Sequence, residues 1–137
     1  FNFASGTVTA SYGTATAKNI ADTLFTAQDE TNGLGTEGEV KAKGLKTIKK
    51  ENINKEAGGI LQPTDWMVIR ATEGGTAVPS SITTQRAAVR TKANEMCTAI
   101  DNAADMDALV TLYTYTNTGT EENPVYTRPI GELPQVV

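Results

Sequence analysis

The side chains of this chain that could do chemistry are few. Histidine is absent and Cys97 is the single cysteine among 137 residues. That excludes Ser/His/Asp and Cys/His nucleophilic catalysis, since both need an imidazole to take the nucleophile's proton. Asp101, Asp105 and Asp107 form a close carboxylate group of the kind that suggests a divalent cation. Their separations match no calcium loop, and Asp105 stands where a helix cap is expected. Serine or threonine paired with lysine is present without any motif that marks it, and there is no glycine-rich phosphate loop. The other carboxylates are scattered among lysines, as on a solvated surface, and not set apart as an acid/base pair. These residues predict a protein that is not an enzyme, holds no metal or cofactor, and works by binding.

Composition narrows what it binds. The formal charge is -4, which disfavours a phosphate-tracking surface, because nucleic-acid binders gather Lys and Arg on one face. Lys41, Lys43, Lys46, Lys49, Lys50 and Lys55 do cluster, but Glu39, Glu51 and Glu56 interleave with them, the pattern of a solvated helix face. No apolar run approaches the ~18 residues needed to cross a bilayer, so neither nucleic acid nor membrane is an expected partner. Hydrophobic residues make up 39% of the chain and aromatics only 6%, a thin core for this length that predicts support from partner chains. Cys97, between Met96 and Ile100 in a helical pattern, is expected to be a small buried apolar residue. The sequence starts at Phe1 without methionine, as a processed or partial product would.

The elements that must position these residues are α+β: a strand-rich N-terminal element followed by a helical C-terminal module with one long helix. Residues 1 to 12 alternate as a strand interrupted at Ser5-Gly6, with Phe1 and Phe3 on one face. Ala17, Ile20, Ala21, Leu24 and Phe25 are spaced for a helix over 15–28, stopped by Asn32-Gly33 and Gly35. Val40 to Lys43 suits a short strand that Gly44 weakens. Thr47 to Ala57 is rich in helix formers, and Gly58-Gly59 is expected to close that helix. The boundary between an N-terminal docking region, 1–58, and a helical module, 59–137, is placed there.

Pro63 is expected to push Gln62 out of the helical region, and Thr64 or Asp65 to cap a turn that aims Trp66, Met67, Val68 and Ile69 at the core. After Gly74-Gly75, Pro79-Ser80-Ser81 opens a long helix over 82–102. Its residues Ile82, Val89, Ala93, Met96, Ile100 and Ala103 form a seam for a neighbouring helix of the same chain. Asp105 caps a last turn or two, while helix and strand compete over 109–114. Asn117-Thr118-Gly119 and Pro124 to Thr127 suit a loose hairpin. The tail from Arg128, with Pro129 and Pro134, is expected to lie extended on a partner.

The segment from Gly59 to Met96, with Leu61-Gln62-Pro63-Thr64-Asp65-Trp66 and Gln85-Arg86-Ala87-Ala88-Val89-Arg90, resembles the tail-assembly-chaperone and tail-fibre-associated proteins of tailed bacteriophages. In that family a Leu-x-x-Thr-Asp-Trp element precedes a Tyr-Arg-x-Ala-Leu-Arg helix, and Asp65, Trp66, Arg86, Val89 and Arg90 fall on the pattern. Gln85 stands in the tyrosine position, and a long helix replaces the family's short ending. The resemblance implies a virion structural protein at the tail, baseplate or fibre, binding other phage structural proteins and further copies of itself in a symmetric assembly. Its alternatives are a non-virion fibre-assembly chaperone and a capsid decoration protein. It also implies that Trp66 packs across the long helix near Val89 while Arg86 and Arg90 pair with Asp65 or a partner carboxylate. The N-terminal strand, with Phe1 and Phe3, would add to a neighbouring subunit's sheet.

Overall fold

A computed structural model of the chain describes residues 18–137 and, before them, the backbone of Asn2–Ala4 and Thr7–Thr9. The fold is α+β. Strands β1 (Asn2–Ala4) and β2 (Thr7–Thr9) pair antiparallel, with Phe3 opposite Val8. Phe1 and the side chain of Phe3 lie outside the described residues.

The helix expected over 15–28 does not form in its described part. Residues 18–22 are irregular, Thr23–Leu24 is strand β3, and the only helix nearby is α1 (Ala27–Thr31). Two local demands override the apolar stripe. Thr26 closes a capping box with Asp29, satisfying two orphan donors at once. Meanwhile residues 19–22 lie over the start of the next helix, α2 (Leu45–Leu61). The Asn19 and Ile20 carbonyls accept from the Leu45 and Lys46 amides at 2.9 and 3.0 Å, and the Asp22 carboxylate accepts from the Gly44 N–H at 2.6 Å. The α2 N-terminus has no cap of its own, and this loop supplies one. Strand β4 (Val40–Ala42) forms and pairs antiparallel with β3 through a register shift.

The carboxylates in this region are tuned by those contacts. Lys41, 2.8 Å away, and the amide and hydroxyl of Thr26 hold Asp29 down to about 2. The Gly44 N–H, then the Thr47 hydroxyl, lower Asp22, with Lys50 and Lys43 adding to it. Because both folded values are depressed, their contribution is complete above the ordinary 3.8 and is lost as pH falls below it, for Asp29 through about 2. Acid should therefore loosen α1 and the β3–β4 pair. NMR titration of the Asp29 carboxyl should give a midpoint near 2, with faster amide exchange at Phe25 and Leu34 below it. A midpoint at the ordinary value would contradict the capping box.

Helix α2 runs straight through Gly58 and Gly59 instead of stopping there, and continues as a 3₁₀ turn (Gln62–Thr64) into α3 (Asp65–Thr72). Pro63 sits in the first turn of the 3₁₀ segment, where its missing N–H goes unneeded, and Gln62 stays helical at φ -51°, ψ -45°. A Cβ at either glycine would meet nothing within 4 Å. Gly58→Ala and Gly59→Ala should each stabilise the fold by about 0.5–1 kcal/mol, read from urea unfolding midpoints.

The long helix α4 (Ser80–Asn102) packs antiparallel on α2. Lys50 meets Asp101 at one end of the pair, and Arg86 meets the Leu61 carbonyl at the other. Val89, Ala93, Met96, Ile100 and Ala103 are buried along the expected seam, against Ile53 and Ala57 of α2. The core therefore spans the boundary placed at 58/59. Asp105 caps α5 (Met106–Tyr113) by accepting from the Ala108 N–H at 2.8 Å, and there helix prevails over strand. Strands β5 (Thr116–Asn117) and β6 (Tyr126–Thr127) make the expected hairpin. The tail returns to its own chain. Ile130 and Leu133 are buried in the core, the Ile130 N–H donates to the Leu112 carbonyl at 3.1 Å, and Arg128 pairs with Glu132 at 2.7 Å.

Candidate interaction surface

The corner where α2 passes into α3 is held by one side chain of α4. The Arg86 guanidinium, with only 11% of its side chain exposed, donates to the Leu61 carbonyl at 2.7 Å, to the Thr64 hydroxyl, and to the Asp65 carboxylate at 2.7 Å. The Thr64 hydroxyl in turn donates to the Leu61 carbonyl at 2.9 Å, so it ties the turn internally and does not cap α3. A planar fork reaching three acceptors suits arginine and not lysine. The expected pairing of Arg86 with Asp65 is present.

Trp66 is not where packing logic placed it. The ring is 53% exposed, lies outside the core that contains Val89, and stacks under the Arg70 guanidinium at 4.8 Å. The reason is geometric: four successive apolar residues, Trp66 to Ile69, surround a helix at about 100° per residue, so they cannot all face one side. Trp66 and Ile69, three apart and 53% and 58% exposed, form an outward ridge. Val68 points the other way, into a shallow cleft of about 270 Å³ between α3 and α4 whose other walls are Val78, Thr83, Arg86 and Arg90. Arg90 is exposed and makes no ion pair among the described residues.

The chain matches no family model, no curated protein and no solved structure. Its surface must therefore be read from its own chemistry. The half-exposed indole stands beside Ile69 and the Arg70 cation, and Trp and Arg are residue types enriched at interface hot spots. Nothing of the kind surrounds the carboxylates. No cluster of potential metal ligands occurs among the described residues. Asp101 pairs with Lys50, Asp105 caps α5, and Asp107 sits in that helix's first turn.

The lysine cluster is largely engaged within the chain. Lys41 pairs with Asp29, Lys43 with Glu51 and Lys50 with Asp101, while Lys46 donates to the Asp101 carbonyl and Lys49 lies 4.7 Å above the Tyr113 ring. Cys97 is half-buried, and burial pushes its thiol above the ordinary value. No helix of the described residues is long and apolar enough to cross a membrane. Arg70 and the Leu61 carbonyl are site members that pattern reading missed. The Trp66 to Arg70 spacing of one helical turn was the available signal for the first, and no side-chain pattern marks the second.

Proposed function

We propose that the chain is a structural virion protein of a tailed bacteriophage, seated at the tail, baseplate or fibre and acting by protein–protein binding. One observation carries this reading. The residues on which the phage-tail resemblance rests form a single hydrogen-bonded corner, Leu61, Thr64, Asp65 and Arg86, and that corner presents Trp66 outward. Rigid support with an exposed indole is what an adhesive contact needs, because little ordering remains to be done on binding. Arg90, at the lip of the adjacent cleft, suits a partner carboxylate. The partners are other structural proteins of the particle and further copies of this chain in a symmetric assembly. Nucleic acid and membrane have no part in it.

Trp66→Ala separates binding from folding. Removing an exposed ring should change unfolding free energy by less than about 1 kcal/mol, well below the ~3–5 kcal/mol of a buried aromatic. If the ridge is an anchor, incorporation into purified tail particles should drop about 30-fold or more, the loss expected at an interface hot spot. Stoichiometric copies in those particles, cross-linked to tail proteins, are the expected result. Absence from finished particles would instead indicate an assembly chaperone, and cross-links to the shell a decoration protein. Either would overturn the proposal.

A further inference from the structure

A second feature lies away from the Trp66 ridge. Leu45 and Lys49 of α2 and Met106, Leu109, Val110 and Tyr113 of α5 line a groove of about 260 Å³, with Val110 56% exposed at its edge. Two donors on its wall lack an acceptor. Lys41, Lys43, Lys46 and Lys50 each reach an oxygen of the chain, whereas Lys49 has no such partner among the described residues and lies 4.7 Å over the Tyr113 ring. The hydroxyl of Tyr113, on a half-buried side chain, has no hydrogen-bond partner among them either. We propose that the groove is a binding site for a medium-chain aliphatic carboxylate, its chain on the apolar floor and its head group between Lys49 and Tyr113.

The first argument is charge. An ammonium and a phenol O–H in one apolar groove are matched by a single anion with two oxygens, and a carboxylate meets both while its tail covers Leu45, Met106, Leu109 and Val110. Contact with the Tyr113 ring already holds Lys49 at the wall, so little ordering is left for binding. The second argument is size. A volume of about 260 Å³ has room for roughly nine water-sized groups, close to an acid of about eight carbons. The third is what the groove lacks. A peptide brings backbone amides that need partners once they leave water, but the walls here are helix side chains, and the Thr114 hydroxyl, which also lines the groove, is spent on the Val110 carbonyl at 2.9 Å. A ligand whose polarity is confined to one end suits these walls. The proposal is independent of the phage reading and stands or falls separately.

Octanoate is the probe, titrated into the full chain and followed through the methyl signals of Leu45, Met106 and Val110 in NMR spectra. These should shift together and saturate. Octanol, with the same chain and no charge, should bind about tenfold more weakly, and Lys49→Gln should cut octanoate affinity by a similar factor while leaving that for octanol unchanged. Tyr113→Phe keeps the ring and should weaken octanoate severalfold. The comparison of octanoate with octanol needs no variant, and it decides the matter if either variant fails to fold. No saturable shift at these methyls, equal affinity for octanoate and octanol, or octanoate affinity unmoved by Lys49→Gln would each overturn the assignment, as would tighter binding of a short peptide that ends in a leucine carboxylate.

Discussion

Replacing Arg86 with alanine should destabilise the protein by about 3 kcal/mol, read as a fall in urea midpoint at constant slope. The side chain is nearly enclosed, and its fork satisfies a carbonyl, a hydroxyl and a carboxylate from three successive parts of the α2–α3 corner. Charge-assisted hydrogen bonds are worth ~1.5–3 kcal/mol each. Their loss is partly offset here, because Asp65 is half-exposed and can turn to solvent, and Thr64 still donates to Leu61. Asp65→Asn alone should accordingly cost less than about 1 kcal/mol. Arg86→Lys should recover only part of the loss, since a point charge cannot serve three divergent acceptors. A cost for Arg86→Ala below about 1 kcal/mol would show that the corner is held by packing alone.

Gly44→Ala should be comparably damaging, about 3 kcal/mol at the upper end of the overpacking range, or roughly 10 °C in Tm for a domain of this size. The cause is space and not backbone freedom. Gly44 has an ordinary φ of -76°, but a Cβ there would overlap the Ala21 carbonyl and crowd the Asp22 nitrogen, both main chain. Pushing that loop away also uncaps α2, because Asn19, Ile20 and Asp22 accept from its first donors. The Gly58→Ala variant, in an open stretch of the same helix, should move Tm in the opposite direction. A thermal scan of the two together distinguishes crowding from intrinsic helix propensity.

How much of this was readable beforehand varied with the range over which each decision is made. The α4 seam was legible because a four-three spacing sustained over six residues has one consistent explanation, and Val89, Ala93, Met96, Ile100 and Ala103 are buried accordingly. The Asp105 cap and the hairpin through Asn117 depend on neighbours a few residues away, and both were legible for that reason. The stripe from Ala17 to Phe25 has helical spacing, yet residues 19–22 are engaged by a helix start more than twenty positions on, and local pattern carries no trace of that demand. Gly58-Gly59 resembled a stop, but packing of Ile53, Ala57 and Ile60 carries α2 past it. The tail turns at Pro129-Ile130 and has no regular structure after it. Its destination on Leu112 and the core belongs to tertiary structure.

The candidate site followed the same rule. Asp65 and Arg86 are opposite charges whose partnership needed only the right helix–helix register. The corner at Pro63 to Asp65 and the apolar group it opens predict Trp66 inward, and such a group does not determine direction on an eight-residue helix with apolar residues on several sides. That single reversal moves Trp66 from an expected place in the core to an exposed one.

The described strand pairs share no strand with one another: each is a separate two-stranded ladder attached to a helical body. Lengthening one of them cannot re-register the others. The β5–β6 tip, where Glu121 and Glu122 are exposed, should accordingly accept an inserted peptide without disturbing the β3–β4 pair.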